Sequence, residues 1–306
     1  MCAINGEEPR KYILTDAHCV EYSYYLFVMH RGHRYKSKVV AISYLTDLAL
    51  LDVEKSAWPH LTALEIGKSP LRGSTLYACG YPYGDVNFSI TKGVFSRLIM
   101  RRVYKHFSKI LCLQIDVPIN SGNSGGPLID DNDNLVGVNF MSHPDGQLMC
   151  YAIPLQIIQY FLDEVAAGKK YVYPRLLQIN IQAIDEPTHR YLEQKMNYKF
   201  ESGALVTHDE YPFKAGDVVT SIMSDCFENI EMPIRNDNSI VIPYYEEYVD
   251  PNSIFGISKE VTTKIIRDGK QHVFTHKLRY PKYTIPRDQY TGPPAYLIVA
   301  GLMFQP

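Results

Sequence analysis

Hydrophobic residues in the first half of the chain recur in short runs that are rich in Val, Ile, Tyr and Leu. Gly, Pro, Asp and Asn separate these runs, and short β-branched or aromatic runs bounded by turn formers are typical of strands. The regular spacing of the runs favours a Greek-key barrel. The clearest predicted strands cover residues 22–29, 35–41, 48–53, 75–80, 88–95, 110–114, 135–139 and 149–153.

The pattern changes after Pro154, where apolar residues recur at helical spacing up to about Gly168. We expect this helix to close a first domain. A second β-rich block then continues to about residue 280, with one helical piece at 188–196 between its strands. The sequence therefore predicts an all-β-dominated chain. Its expected parts are a first domain at 1–167, a linker at 168–175, a second domain at 176–282 and a tail at 283–306.

Composition narrows the possible functions. The chain has 306 residues, of which 46% are hydrophobic, and this is enough for two cores. Its formal charge is only −2, so no basic face is predicted that would attract nucleic acid. The longest apolar run, 296–304, is far shorter than the roughly 20 residues that a membrane-spanning helix needs. The first nine residues show neither a signal-peptide nor a transit-peptide pattern, so they do not indicate a compartment.

The six cysteines are scattered along the chain, without the close pairs of a zinc site or the density of a disulfide scaffold. We expect buried, reduced thiols and no metal site. The cysteines are Cys2, Cys19, Cys79, Cys112, Cys150 and Cys226.

The strongest chemical signal is the run Asn-Ser-Gly-Asn-Ser-Gly-Gly-Pro at residues 120–127. Its glycines permit a turn tight enough to expose the Ser124 hydroxyl as a nucleophile. The same turn could aim the backbone N–H groups of Gly122 and Ser124, with Asn123 between them, at a developing oxyanion. A Gly-rich turn without any function is the alternative for this run taken alone.

Two further segments favour the catalytic interpretation. His18 follows the apolar run 13–14, where an imidazole could accept the serine proton. Asp47 lies 29 residues later, directly before the apolar strand 48–51, and could hold the imidazole in the correct tautomer. Asp52 is the weaker candidate for that carboxylate. Because catalysis requires neutral His18, and ordinary histidine titrates near about 6.5, activity should fall in acid.

These segments resemble the three signature segments of trypsin-fold serine proteases in the HtrA/Deg version: Thr-x-Ala-His at 15–18, Asp-Leu-Ala-Leu-Leu at 47–51 and Gly-Asn-Ser-Gly-Gly-Pro at 122–127. Further matches at 80–84, 91–97 and 114–120 extend the resemblance over the first domain. It implies a trypsin-like double β-barrel with His18, Asp47 and Ser124 as the catalytic triad, and no cofactor. Proteases activated by cleavage carry an aspartate at the position of Asn123, so no such activation is expected.

In this fold the primary specificity pocket lies around Pro118 and Ile119 and around the strand that contains Val138 and Phe140. None of these residues is charged. An apolar pocket binds apolar groups by desolvation, so we expect cleavage after small or aliphatic residues.

Residues 176–282 resemble a PDZ domain of the plant-type Deg branch, through Gly-Ala-Leu-Val at 203–206 and Phe-Lys-Ala-Gly-Asp-Val-Val at 213–219. A PDZ domain adds a peptide C-terminus as a strand and holds its carboxylate on loop amides. Here the glycine-containing carboxylate loop is replaced by Arg-Leu-Leu-Gln-Ile at 175–179, which questions peptide capture.

The resemblance also implies partners and a setting. It indicates an ATP-independent endopeptidase acting on unfolded or damaged polypeptides, with assembly into trimers, in an organelle such as the mitochondrion or alternatively in the nucleus. The tail 283–306 resembles the lead-in to a second PDZ-like domain, and relatives have a strand before Met1, so both ends look truncated. A paired Cys2 and Cys19 is a further possibility, as beside the catalytic histidine of secreted relatives.

Two alternatives remain open from the sequence. One is a catalytically silent relative that acts as a binding module, because a missing first strand would leave a barrel edge open. The other is a structural β-protein in which the three motif matches are accidental.

Overall fold

The structure is a computed structural model of the whole chain. Among the residues singled out above, Cys2, Leu176, Gln178 and Cys226 lie outside the described part, as does most of the tail. The described residues are 10–85, 87–102, 109–142, 148–175, 177, 179–200, 203–224, 257–280, 297–300 and 302–304.

The described part of the chain begins with a four-stranded antiparallel sheet in the order β1-β4-β3-β2. Its β4 matches the predicted strand, and β1 ends immediately before the His18 segment. One face of the sheet packs Ala17, Val20, Ile42, Ala49 and Leu51 into a small core. The strands are β1 (Tyr12–Asp16), β2 (Leu26–His30), β3 (His33–Ser43) and β4 (Leu48–Val53).

The next six strands form a closed barrel in the order β10-β7-β6-β5-β8-β9. Its interior is filled by fully buried side chains such as Leu76, Leu113, Ile115 and Leu128, so it is a packed core. The strands are β5 (Thr75–Gly80), β6 (Ser89–Arg102), β7 (Lys109–Ile115), β8 (Pro127–Ile129), β9 (Leu135–Ser142) and β10 (Cys150–Pro154). Together with the N-terminal sheet, this barrel confirms the predicted all-β class.

The predicted helix after Pro154 is α1 (Leu155–Ala166). It buries Ile157, Ile158 and Phe161 and ends before Gly168, whose φ of +91° a residue with a Cβ rarely adopts. Since the apolar face packs on the barrel core, helical periodicity alone located this element.

The remaining described chain forms a five-stranded antiparallel sheet in the order β11-β12-β13-β14-β15, followed by a short hairpin. α2 (Glu186–Met196) precedes β12 and is capped by Asp185, whose side chain accepts the Thr188 N–H at 2.9 Å. The strands are β11 (Ile181–Ala183), β12 (Ala204–Val206), β13 (Val218–Ser224), β14 (Glu260–Arg267), β15 (Lys270–Lys277), β16 (Leu297–Val299) and β17 (Leu302–Phe304).

One hydrophobic cluster runs without a break from the barrel through α1 to the five-stranded sheet, by way of Val172, Leu177 and Ile179.

A group of hydrogen-bonded polar side chains lies beside this hydrophobic cluster. The Arg175 guanidinium donates to Glu164 Oε1 at 2.6 Å and to the Tyr280 hydroxyl at 2.9 Å. Glu164 also accepts from Lys169 and Tyr280. The five-stranded sheet is therefore tied to α1 by buried charge as well as by apolar packing.

One predicted strand is shorter than expected. Residues 22–29 were predicted as a single strand, but β2 begins only at Leu26. Tyr22 has φ +58°, a turn conformation that a strand cannot contain, and Tyr22, Tyr24 and Tyr25 are highly exposed. Aromatic composition misled the prediction, because tyrosine favours strands but these three tyrosines lie in a surface turn.

Candidate active site

Asp47 and His18 form a direct pair. The distance between His18 Nδ1 and Asp47 Oδ2 is 2.5 Å, and the other carboxylate oxygen accepts the His18 backbone N–H at 2.8 Å. Asp47 is 3% exposed, whereas the His18 side chain is 35% exposed. A buried carboxylate therefore holds one edge of an imidazole whose remaining surface is partly open to solvent, as a general base requires.

The chain positions this pair through two tight segments. His18 lies in a 3₁₀ turn, Ala17–Cys19, directly after β1. Asp47 lies in the connection between β3 and β4 and has φ +53°. Because β1 pairs with β4, the two segments meet at one edge of the sheet, and the Ala17 N–H donates to the Asp47 carbonyl at 3.0 Å.

Asp52, the weaker candidate, faces other partners. Its carboxylate lies 3.5 Å from Lys38 Nζ and 4.0 Å from an Arg10 nitrogen. The geometry therefore separates the two candidate aspartates, because Asp47 contacts His18 and Asp52 faces Lys38 and Arg10.

The Ser124 turn packs against the His18 segment. A Cβ added at Gly125, which has φ +77°, would lie 2.1 Å from Thr15 Oγ1, so only glycine fits there. Cys19 Sγ lies 3.6 Å from the Ser124 carbonyl oxygen. The Ser124 hydroxyl itself donates to the Phe140 carbonyl at 3.2 Å. The Ser124 hydroxyl must turn from Phe140 to direct its proton to His18, and such bonds often form only with substrate bound.

The Gly122 backbone is fixed by the loop after β5. The Ser121 carbonyl accepts the Tyr83 N–H at 2.6 Å, and the Gly122 carbonyl accepts the Tyr81 N–H at 3.3 Å. In a trans peptide the N–H points away from the carbonyl, so the Gly122 N–H points away from Tyr83. Within the described residues, neither the Gly122 nor the Ser124 N–H donates to a backbone carbonyl. Both donors remain available for an oxyanion.

Asn123 is 1% exposed and lies against Gly80, where an added Cβ would come within 2.5 Å of Asn123 Oδ1. The position is thus filled by an uncharged amide in a closely packed interior.

The four residues predicted around the specificity pocket differ in burial. Ile119, Val138 and Phe140 are almost completely buried, and their side chains belong to the hydrophobic clusters of the barrel. Pro118 is exposed, and its carbonyl accepts the Thr91 hydroxyl at 2.7 Å. The Phe140 backbone contacts the Ser124 hydroxyl, so β9 passes directly beside the nucleophile.

Sequence reasoning missed Asp16, the last residue of β1. It is 0% exposed, its Oδ2 lies 3.9 Å from His18 Nδ1, and neither carboxylate oxygen has a hydrogen-bond partner among the described residues. Burial and, next, the charge of Asp47 raise the pKa of Asp16 well above its usual range, while His18 partly opposes this rise. An aspartate two residues before the histidine was the available signal.

His18 is correspondingly perturbed. Burial by itself lowers the pKa of His18, but the hydrogen bond to Asp47, a contact with Cys19 and the charges of Asp47 and Asp16 raise it to about 11. The expectation of an ordinary histidine pKa therefore does not describe this environment.

The cysteines divide into two groups. Cys79, Cys112 and Cys150 are buried and free, as predicted. Cys19 is also a free thiol, but it is exposed, which corrects the expectation that it is buried. Its position directly after His18 at the edge of the site explains the exposure.

The fold is that of a trypsin-like peptidase, and comparison with known proteins agrees. The family model "Trypsin-like peptidase domain" matches residues 3–138. Over 97% of its length, the chain is 32% identical to putative protease Do-like 13 and 31% identical to putative protease Do-like 3, mitochondrial, both of Arabidopsis thaliana. The chain is therefore similar over nearly its whole length to plant proteases of the Do-like group.

The match covers 61% of the first relative and 53% of the second, so the chain spans between half and two thirds of their length. Among solved structures, the HtrA-type protease AlgW with tripeptide superimposes with a TM-score of 0.61 at 23% identity, covering 89% of this chain and 87% of that one. This likeness shows the fold, in which a trypsin-like part is followed by the five-stranded sheet. No helix of the described residues is long and apolar enough to cross a membrane.

Proposed function

We propose that the chain is an ATP-independent serine endopeptidase with His18, Asp47 and Ser124 as its triad. The observation that carries the proposal is the buried Asp47 carboxylate, 2.5 Å from His18 Nδ1, at the sheet edge against which the Ser124 turn packs. Three motifs far apart in the sequence meet at one place, in the chemical order that acyl transfer needs. Relatives that are named proteases favour this proposal over a silent binding module.

The reaction follows from these positions. The Ser124 hydroxyl turns from Phe140 to His18, passes its proton to the imidazole and attacks the scissile carbonyl. Asp47 holds the imidazole through Nδ1 and stabilises the imidazolium that forms. The Gly122 and Ser124 N–H groups stabilise the tetrahedral oxyanion. His18 then donates its proton to the leaving amine, which gives an acyl-enzyme on Ser124, and water hydrolyses this ester through the same base.

The proposed substrate class rests on the residues predicted around the specificity pocket, of which Phe140 contacts the Ser124 hydroxyl through its backbone. Pro118, Ile119, Val138 and Phe140 carry no charge, so a Lys or Arg side chain would lose its hydration there without a partner. We propose unfolded or damaged polypeptides as substrates, cleaved after small or aliphatic residues.

Residues 176–282 are proposed to be a PDZ-like domain, supported by a five-stranded sheet with one helix before β12. The Arg175 guanidinium donates hydrogen bonds to Glu164 and Tyr280, and these bonds help to hold this sheet against α1. Assembly as a trimer and a mitochondrial site are proposals by family likeness. Several relatives are named mitochondrial.

The direct test is digestion of casein by the purified chain beside its Ser124→Ala variant, with mass-spectrometric mapping of the cleaved bonds. The proposal expects cleavage by the wild type alone, mainly after Ala, Val, Leu or Ile. Asp52→Asn is the matched control, because Asp52 lies on β4, the strand that follows Asp47, but contacts Lys38 instead of His18. Equal inertness of wild type and Ser124→Ala would instead favour the silent binding module.

A further inference from the structure

Three side chains with different donor atoms converge beside the proposed triad. One potential ligand atom from each of Asp16, His18 and Cys19 lies within 4.8 Å of the other two. Among the described residues, these three side chains form the group that could hold a metal ion. Asp16 is completely buried, while Cys19 is exposed. The group therefore combines one buried carboxylate with one thiol that solvent can reach.

Asp16 is the observation that points to a ligand. A carboxylate that is completely buried normally accepts hydrogen bonds, because its desolvation is costly. Neither Asp16 oxygen has a hydrogen-bond partner within the described chain, and its ionic neighbour is the His18 imidazole, whose Nδ1 lies 3.9 Å from Oδ2. A cation between Asp16 and its two neighbours would complete the coordination of this carboxylate.

The donor set selects the class of cation. A thiolate, an imidazole and a carboxylate are the ligands that Zn²⁺ takes in proteins, whereas Ca²⁺ and Mg²⁺ prefer oxygen alone. In tetrahedral zinc sites the donors are separated by about 3.5 Å, so the group needs to contract by about 1 Å. Rotation of the exposed Cys19 side chain can supply much of this contraction. Three protein ligands leave a fourth position for water.

We propose that Asp16, His18 and Cys19 form a binding site for one zinc-class divalent cation, and that its occupancy withdraws His18 from catalysis. On binding, the Cys19 thiol releases its proton to solvent and coordinates as thiolate. The imidazole that coordinates the ion no longer accepts a proton from Ser124. The binding part is independent of the proposed peptidase activity, and the inhibitory part depends on it.

Binding is tested with Co²⁺ as a spectroscopic substitute for zinc, added to metal-free Ser124→Ala protein. This variant keeps all three ligands and prevents self-digestion. The expected result is a near-ultraviolet thiolate-to-cobalt absorption band that saturates at one equivalent and is displaced by Zn²⁺. The band is lost in the additional variant Cys19→Ser, and Asp16→Asn weakens the affinity by about tenfold or more.

The matched control is His33→Ala, which removes an exposed imidazole on β3 and leaves the three ligands intact. Its titration should equal that of the parent. A band that persists unchanged in Cys19→Ser, or the absence of any thiolate band, would overturn the binding proposal. Cys19→Ser alters an exposed residue, so its circular dichroism should show a folded protein and make either result interpretable.

Inhibition is tested on the active wild type with a peptide substrate. One equivalent of Zn²⁺ should abolish most turnover, a chelator should restore it, and Cys19→Ser should retain at least about ten times more of its own activity at the same zinc concentration. Equal inhibition of both proteins overturns the inhibitory role. A cobalt band without peptidase activity would support the metal site while contradicting the proposed function, so the two failures are distinguishable.

Discussion

Asp47 binds His18 through both of its oxygens, one on the imidazole Nδ1 at 2.5 Å and the other on the backbone N–H at 2.8 Å. The carboxylate therefore fixes the position of the residue as well as the orientation of its ring. Nε2 is the nitrogen left to exchange a proton with Ser124. The predictions below follow from this pair and from the packing around it.

The first prediction concerns the two neighbouring aspartates of the first sheet. Asp47→Asn should lower kcat by roughly 10⁴, because the amide favours the wrong imidazole tautomer and does not stabilise the imidazolium. Asp52→Asn should change kcat less than about twofold, since Asp52 is paired with Lys38 near the surface. Steady-state hydrolysis of a peptide with an aliphatic residue before the cleaved bond measures both. A loss of similar size in both variants would exclude Asp47 as the specific partner.

The second prediction concerns pH. His18 must be neutral to accept the Ser124 proton, and its pKa is raised by Asp47 and, to a smaller extent, by Asp16. A raised pKa keeps the imidazole protonated to higher pH, so the acid limb of kcat/KM should lie above the value near about 6.5 of an ordinary histidine. Removing the Asp16 charge favours the neutral imidazole, so Asp16→Asn should shift this limb to lower pH.

This pH profile should be measured with a chelator present, so that no bound metal contributes. Asp52→Asn serves as the charge-matched control, and its profile should overlay that of the wild type. If Asp16→Asn leaves the acid limb in place or moves it upward, the influence assigned to Asp16 is wrong.

The third prediction concerns the glycines of the serine turn. In Gly125→Ala the new Cβ meets Thr15, and in Gly122→Ala it would lie 2.2 Å from the Tyr81 carbonyl oxygen. Both variants should lose most activity and about 1–3 kcal/mol of unfolding free energy beyond the control, since neither neighbour can move freely. Gly73→Ala is that control, because Gly73 has a similar φ of +80° but no atom within 4 Å of the added Cβ. Urea denaturation measures the stability of the three variants, and peptide hydrolysis measures their activity. The prediction is wrong if all three variants behave alike.

The fourth prediction concerns the polar group between α1 and the five-stranded sheet. Arg175→Ala should destabilise the protein by about 1–3 kcal/mol, because it removes one of the two cations that pair with the buried Glu164 and leaves only Lys169. Arg190→Ala removes an exposed i,i+4 partner of Glu186 on α2 and should cost less than about 1 kcal/mol. Equal unfolding free energies for the two variants would show that the buried group does not hold the sheet on α1.

The same group predicts a dependence of stability on pH. Burial raises the pKa of Glu164, but its hydrogen bonds to Lys169 and Tyr280 and the charge of Arg175 outweigh this and lower it. A carboxyl whose folded pKa is depressed contributes stability above its unfolded pKa of about 4.3, and the contribution is lost as pH falls through the folded value. Denaturation of Glu164→Gln should therefore show a smaller decline in stability below about pH 4.5 than the wild type does.

Elements fixed by local pattern were predictable from the sequence. Leu48–Val53 and Thr75–Gly80 match their predicted strands, because an apolar run with clear turn residues at both ends leaves little choice. α2 begins at Glu186, two residues earlier than predicted, since the Asp185 cap and the following proline extend its first turn. The short β8 was missed, because three residues next to a glycine-rich turn carry no periodicity.

The features set by tertiary contacts could not be predicted in the same way. The burial of Asp16 depends on β1 pairing with β4 and on Gly125 packing against the end of β1. Motif spacing identified His18, Asp47 and Ser124 as candidates. It could not show that the Asp16 carboxylate lies 3.9 Å from the imidazole or that the Ser124 hydroxyl donates to the Phe140 carbonyl. These relations depend on tertiary packing, such as that of Gly125 against Thr15 more than 100 residues earlier, and no local pattern encodes them.

The most direct test of the central claim is covalent labelling by a fluorophosphonate, with the modified residue located by mass spectrometry. An activated serine beside a general base and an oxyanion hole reacts with this probe, whereas an ordinary surface serine does not. The account predicts one adduct, on Ser124, whose formation slows sharply in Asp47→Asn and not in Asp52→Asn. An unlabelled wild-type protein, or an adduct on a different serine, would contradict it.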